Sequence, residues 1–527
     1  MIRRTGGPAD LPALRDRIEL LVRPGVERLT PGSAEDQLHR ETGSGSGRVH
    51  KDVITDVVRL RRATDMAVSG SARPLLLSVN QEGGRLNALD WPEVEQLPGG
   101  LALGATASAE TAELAGSVLG GQLRAVGLTW NLAPVCDLAD RPSASAVGTR
   151  SFGSDPEQVS RLAAGFIRGL QSAGVAATAK HFPGLGGVRA DPHHFASVVD
   201  RLAPGALEPF RAAVEAGVAT VMVGSHTIRE IDSRPALASR RVIGLLRDRL
   251  GFEGVTVSEN LSIPAVHEPL GGPAAAAVAA VAAGVDVVML DSEVSRGFQP
   301  QAARSAAVSR RQQVVRALLS AVVEGRLSRE RVEQAADRVL LLQKRFGLAP
   351  GTVRPDWAQA NAAARAGADR IAEESVAVLR GAHLLPLTTA PLAVLRVPDT
   401  RQRRADSAVH APDLVPVALT AHGPRPIELS VGCDVPEGVR AVVVYSYDTR
   451  TDKDRPGAAA TEAGRLSGRG TPVVHISLGD LDELSGSPAD VLLAAFSPHR
   501  ASVSAAAATL LAHGRPRGVP PVGEQPW

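Results

Sequence analysis

The sequence predicts an α/β protein whose first part is a (β/α) barrel and whose last part is a smaller domain on a parallel sheet. Three observations carry this. Six short apolar runs, PLLLSV, LTWNLAPV, VAATAKHF, ATVMVGSH, GVTVSENL and VDVVML, lie between residues 74 and 290, separated by Ala- and Leu-rich amphipathic stretches such as 106–126, 156–173 and 234–250. Short strands alternating with longer helices make βα units. Periodicity alone does not separate a barrel from an open sheet, but so many units in this length favour the barrel. Second, polar residues close the runs: Asn80–Gln81–Glu82, Lys180–His181, Ser225–His226 and Glu259–Asn260. In a barrel the strand C-termini share one mouth, so these groups converge. Third, a helical stretch over 327–375 is followed by a new α/β pattern: APLAVLRVP, VRAVVVYSYD, TPVVHISLGD and ADVLLAAFSPH.

Taken in order, the leading residues MIRRTGGPADLPALRDRIELLV hold no continuous apolar stretch before a cleavage site, so no signal peptide is expected and a cytoplasmic protein is. ETGSGSGRVH (41–50) reads as a flexible loop. Pro273–Leu290 is mostly alanine but carries Gly284 and Asp286, and reads as a buried helix followed by a strand, not a membrane span. RERVEQAADRVLLLQKRFGLAP reads as a helix stopped by Gly347 and Pro350. SVSAAAATLLAHGRPRGVPPV reads as a closing helix and a Pro/Gly tail.

Composition excludes several classes. Hydrophobic residues at 44% and charged residues at 22% rule out wholesale disorder. Lys and Arg number 58 against 56 Asp and Glu, so no concentrated basic face argues for nucleic acid. Two cysteines, Cys136 and Cys433, exclude a disulfide framework and a Cys-rich zinc module. No ligand cluster implies a metal or an organic cofactor. Aromatic residues are only 3%, with Trp91 and Trp130 the local candidates for stacking on a flat ring.

Three segments point to a family. SVNQEGGRL (78–86) is similar to the D-Q-E-G-G-R segment of glycoside hydrolase family 3. KHFPGLGGVRADPHH (180–194) is similar to K-H-F-P-G-H-G-(D/N)-x-x-x-D-S-H, the signature of its β-N-acetylglucosaminidase branch. GFEGVTVSENLSI (251–263) is similar to the segment that carries the nucleophile. The resemblance, which covers roughly residues 55–527, implies a (β/α)8 TIM-like barrel followed by an αβα sandwich domain. The expected divisions are a barrel over 1–345 with a divergent start over 1–50, a helical linker over 346–375 and a sandwich over 376–527. The family opens its barrel with an apolar strand. Here that place is polar and Gly-rich, so either RIELLV (17–22) supplies the strand or the barrel is incomplete.

The resemblance also implies site residues. Glu259 stands where the family has a nucleophilic Asp, one methylene longer, and Asn260 where the branch has a second Asp. Asp191 and His193 stand as the acid/base pair, with Pro192 in place of Ser. A histidine near neutral pKa can donate and accept protons, and a carboxylate partner fixes its tautomer. Lys180, His181 and Arg150 are expected to hold sugar hydroxyls or an acetamido carbonyl, with Asn80 in place of an Asp. Leu185 replaces the second His of the signature. His226 either lines the pocket or is a satisfied core histidine, and Asp137 has no assigned role. The implied function is a retaining, exo-acting β-N-acetylglucosaminidase-like glycosidase acting through a glycosyl-enzyme intermediate on a small β-glycoside, of an ordinary or a modified sugar. The alternatives are a sugar-binding relative that has lost catalysis, since four changes fall in or beside the pocket, and a phosphorylase, since an imidazole does not repel an incoming phosphate. The expected partner is a small carbohydrate, with no nucleic acid and no membrane; the oligomeric state stays open.

Overall fold

A computed structural model describes residues 11–24, 46–48, 56–139, 145–188, 197–290, 300–387, 391–398, 413–447, 457–512, 514 and 516–522. Among the described residues, eight strands of the first part make up its two larger sheets: β1 (Val22–Pro24), β2 (Ser46–Arg48), β3 (Leu76–Val79), β4 (Trp130–Asn131), β5 (Thr178–Phe182), β6 (Thr220–Val223), β7 (Val255–Asn260) and β8 (Val287–Leu290). They form a five-stranded sheet, β1-β8-β7-β6-β5, and a three-stranded sheet, β2-β3-β4. All pairs are parallel. Parallel bridges Trp130–Ala176 and Val135–Lys180 join β4 to β5, with Asn131 N donating to Ala176 O at 2.8 Å and Thr178 N to Ala133 O at 2.8 Å. The strand C-termini therefore lie on one side. β3, β5, β6 and β8 are buried along their whole length, as strands covered on both faces must be.

The helices start where short polar side chains can accept the free N–H groups of the first turn. Asp155 caps Pro156–Ser172, Ser328 caps Arg329–Phe346 and Asp356 caps Trp357–Ser375. Each such cap is worth about 1 kcal/mol. The helix expected over 106–126 is Ala109–Ala125, capped by Ser108 and preceded by a separate short helix, Gly100–Thr106, that ends at Ala107 with φ +51°. The helix expected over 234–250 is broken. Pro235 precedes a 3₁₀ turn, Ser239 caps Arg240–Gly244, and Leu245–Arg249 widens to a π turn, with Arg247 Nη1 reaching Phe252 O and Gly254 O at 2.7 Å. Pro273–Ala283 is a helix and Val287–Leu290 a strand, and among the described residues no helix is long and apolar enough to cross a membrane.

Two expectations at the start of the chain are corrected. RIELLV is mostly the end of a helix, Leu11–Leu21, whose Leu14, Ile18, Leu20 and Leu21 are buried; only Val22 of it reaches β1. The Gly/Ser-rich stretch is not all loop, because Ser46–Arg48 pairs with Leu76–Ser78. A ladder needs only main-chain donors and acceptors, so a stretch without apolar side chains can join it.

At the opposite ends of the strands, Asp286 just before β8 is fully buried and gathers three arginines: Arg247 Nη2 at 2.6 Å, Arg331 Nη2 at 2.5 Å and Arg338 Nη1 at 3.2 Å. Burial lowers the Arg247 pKa to about 10, against the pull of Asp286. This cluster ties helix Arg329–Phe346 to the sheet and lies away from the strand C-termini.

The later part carries β9 (Ala377–Arg380), β10 (Leu392–Arg396), β11 (Ile427–Leu429), β12 (Ala441–Ser446), β13 (Val473–Ser477) and β14 (Val491–Ala494), in the order β9-β14-β13-β12-β10-β11. The expected parallel sheet is mixed, because β9 runs antiparallel to β14 at the edge. Ala459, Ala463 and Leu466 of one helix pack on one face, and helices Val415–Thr420 and Arg500–Leu511 on the other. The chain end returns to the first part: Ser154 N donates to Pro521 O at 3.1 Å and Val519 N to Ala105 O at 2.9 Å. A Cβ at Gly153 would sit 2.1 Å from Pro521 O, so only glycine admits this approach.

Candidate active site

The segment after β3 turns through Gly83 (φ +86°) and Gly84 (φ +59°), and a Cβ at Gly84 would lie 2.7 Å from Gly99 Cα. Only glycine allows this turn, and it presents Glu82 to two cations. Arg150 grips the carboxylate with two bonds, Nε–Oε2 and Nη2–Oε1, both 2.8 Å, and Lys180 Nζ pairs with Oε1. Burial raises the Glu82 pKa, but Arg150 and Lys180 outweigh it and hold the carboxyl at about 2. Lys180 is 1% exposed, and its ammonium also donates to Leu132 O and, at 3.0 Å, to Asn80 Oδ1. Such a buried charge is tolerable only because every proton has an acceptor.

Beside Lys180, His181 sits on Asp137, which is fully buried. Asp137 accepts the His181 Nδ1 at 2.8 Å, the His181 main-chain N–H at 3.1 Å and the Leu185 N–H at 2.7 Å. Burial raises its pKa, and the charge and hydrogen bond of His181 bring it below the ordinary carboxylate value. Asp137 thus places the imidazole proton on Nδ1 and leaves Nε2 facing away from it. The β5–β6 pairing is irregular between Ala179 and Phe182, the stretch that holds Lys180 and His181. Such irregularities re-aim side chains, and are often found next to active sites.

The β7–β8 pairing is irregular in the same way between Val257 and Asn260, the stretch that holds Glu259. Glu259 is 7% exposed and accepts the Ser225 N–H at 2.6 Å from the end of β6. Among the described residues it forms no ion pair. Asn260 is half-buried, with Oδ1 accepting the Ser262 N–H at 2.9 Å. His226 is fully buried, and neither ring nitrogen has a hydrogen bond of normal geometry among the described residues. Burial lowers its pKa to about 4, against the pull of Glu259 and Asp137.

The structure therefore gathers Asn80, Lys180 and Arg150 around Glu82, places His181 on Asp137 next to them, and sets Glu259 near His226. Asp191 and His193 lie outside the described residues. Leu185 is buried with Val135, Ala139, Val147 and Val188, so an apolar cluster occupies the place of the signature's second His. Trp130 is not a stacking platform: it is 1% exposed, its Nε1 donating to the hydroxyls of Thr178 and Thr220. Trp91 packs in the same core. Cys136 is buried, and burial pushes its thiol pKa up. Neither Glu82 nor Asp137 is assigned a role by the sequence alone. Their one signal was a carboxylate just past an apolar run.

His475, in the core of the later part, has its pKa lowered by burial to about 3. Its folded value lies below its unfolded value, so the unfolded chain binds the proton first and stability falls as pH drops below 6.5. Urea midpoints at pH 7 and pH 4.5 test this. His475→Leu is expected to lose about 2 kcal/mol less than the wild type over that interval. Parallel losses would refute the assignment.

Residues 42–342 match the model of the glycosyl hydrolase family 3 N terminal domain. A β-N-acetylglucosaminidase/β-glucosidase of Cellulomonas fimi is 32% identical over 338 residues, which are 60% of this chain and 56% of that protein. A β-hexosaminidase of Thioalkalivibrio sulfidiphilus is 40% identical over 227 residues, 41% of this chain and 64% of that protein. The chain thus spans less than two thirds of these curated relatives. Among solved structures, a glycoside hydrolase family 3 β-N-acetylglucosaminidase from Paenibacillus sp. str. FPU-7 is similar with a TM-score of 0.80 at 26% identity, over 97% of this chain and 98% of that one.

Proposed function

Because the chain belongs to glycosyl hydrolase family 3, we propose that it is a glycosidase of the β-N-acetylglucosaminidase type, retaining and exo-acting on a small β-glycoside. In this reading the two parallel sheets of the first part are arcs of one (β/α)8 barrel over 1–345, followed by a helical linker over 346–375 and an αβα sandwich over 376–527. The bridges between β4 and β5 support the barrel, since they join the two sheets in register.

The chemistry assigned to the site needs two groups on opposite sides of the anomeric carbon. Glu259 attacks C1 while His193, held by Asp191, protonates the departing glycosidic oxygen. The C1–O bond to the leaving group breaks and a glycosyl ester to Glu259 forms. Water then attacks C1 as His193 takes its proton, and Glu259 leaves as carboxylate. Lys180, His181, Arg150, Asn80 and Asn260 hold the sugar. The observation that carries the reading is Glu259 itself: a buried acid at a strand C-terminus, with one N–H donor to its carboxylate and no ion pair among the described residues, near the buried imidazole of His226. A buried carboxylate with a purely structural role is ordinarily paired with a cation, as Glu82 and Asp286 are.

Nitrophenol release from aryl β-N-acetylglucosaminide and from aryl β-glucoside, each with and without inorganic phosphate, tests it. Turnover of the N-acetyl sugar with free sugar as product is expected. Binding without turnover supports the inactive reading instead, and a phosphate-dependent rate yielding the sugar phosphate supports the phosphorylase.

A further inference from the structure

We propose that the later part of the chain sets the sugar-binding group through His499, a positioning residue that holds the Gly83–Gly84 turn and, through it, Glu82. His499 is partly buried at the start of helix Arg500–Leu511, and its Nε2 lies 2.9 Å from Gly84 O, to which it donates. The same carbonyl accepts Asn87 Nδ2 at 2.9 Å, Asn87 Oδ1 accepts Gly83 N–H at 3.0 Å, and Gly84 N donates to Leu97 O at 2.8 Å. The first part thus supports one side of the turn, and His499 the other. Arg85, which ends the turn, lays its guanidinium over the ring of Tyr447 just past β12, 4.9 Å from the centroid, and both residues are buried.

The loop that delivers His499 is itself held in an unusual shape. Phe496 takes φ +61°, a left-handed conformation that a bulky side chain rarely adopts, and Ser497 Oγ accepts the His499 main-chain N–H at 3.2 Å. Glu82 lies in the short strand Gln81–Gly83, which leads into this turn and pairs antiparallel with Leu86–Asn87 on its far side, so its backbone is tied to the turn. Any shift of Gly84 moves the carboxylate that Arg150 and Lys180 share. A group that reaches the sugar only through other residues is expected to change affinity more than the chemical step.

Arg500, the next residue, provides a structural comparison. It joins the two parts by ion pairs to Glu95 at 2.9 Å and Asp369 at 2.7 Å, and among the described residues no hydrogen bond or ion pair links it to Gly83 or Gly84. The experiment measures KM and kcat of the full chain for aryl β-N-acetylglucosaminide, together with Tm, for His499→Ala, His499→Gln and Arg500→Gln. His499→Ala is expected to raise KM about three- to tenfold, the worth of one neutral hydrogen bond, with kcat within about twofold. His499→Gln, which keeps a donor, is expected to recover most of that loss. Arg500→Gln is expected to lower Tm at unchanged KM. An unchanged KM in His499→Ala, or an equal rise in Arg500→Gln, overturns the proposal. The inference rests on the glycosidase reading, and the wild type separates the two. Wild-type turnover with no effect at position 499 overturns only the positioning role, whereas a wild type that neither turns over nor binds N-acetylglucosamine by calorimetry overturns both.

Discussion

Glu259→Gln is expected to lower kcat by on the order of a thousandfold or more, about 4 kcal/mol of barrier, at nearly unchanged stability. A carboxamide keeps an oxygen for the Ser225 N–H, the one hydrogen bond to the Glu259 carboxylate among the described residues, so the fold loses little. It cannot form the glycosyl ester. Glu259→Asp is the sharper variant. It keeps the carboxylate but shortens the side chain by one methylene and so shortens its reach. A misplacement of about 1 Å can cost about a hundredfold, and a loss of that order in kcat is expected. Full activity in Glu259→Gln would remove the residue from the chemistry.

The second large effect is on stability. Replacing Glu82 with Gln is expected to destabilise the protein by about 3 kcal/mol, because it leaves Lys180 and Arg150 buried without their shared counter-charge. The same variant is expected to raise KM at least about tenfold, since both cations are assigned to the sugar. The pH dependence has a definite direction. The folded Glu82 pKa, about 2, lies below the ordinary 4.5, so its stabilisation is complete above 4.5 and is lost as pH falls towards 2. Below pH 4.5 the gap between wild type and Glu82→Gln should therefore narrow, as denaturant midpoints at pH 6, 4 and 3 will show. A change smaller than about 1 kcal/mol at pH 6 would contradict this account of the pair.

Much of this site is legible in the chain. The polar pairs closing VAATA and GVTVS mark Lys180–His181 and Glu259–Asn260, because a βα unit puts them at strand C-termini. Period and capping residues locate most helices. What the sequence hides is long-range. Asp137 and His181 are 44 positions apart, and Glu82 and Lys180 nearly a hundred; no local pattern announces either contact. The irregular pairings in β5 and β7 that turn consecutive residues towards the site leave no mark in the hydrophobic pattern. The first strands escape notice because they are only three residues long and one is built on Gly and Ser. His499 reaches Gly84 across 415 positions, so a residue of the later part beside the QEGG turn was invisible until the chain was folded.

The most direct measurement is covalent. Incubating the wild type with a 2-deoxy-2-fluoro glycosyl fluoride slows release of the sugar from the enzyme, and peptide mass spectrometry then finds the attached ring. Inactivation with time and one fluoro-sugar on the side chain of Glu259 are expected. A protein that hydrolyses its substrate yet gains no adduct there, or carries it on a different carboxylate, contradicts the assignment of Glu259 as nucleophile.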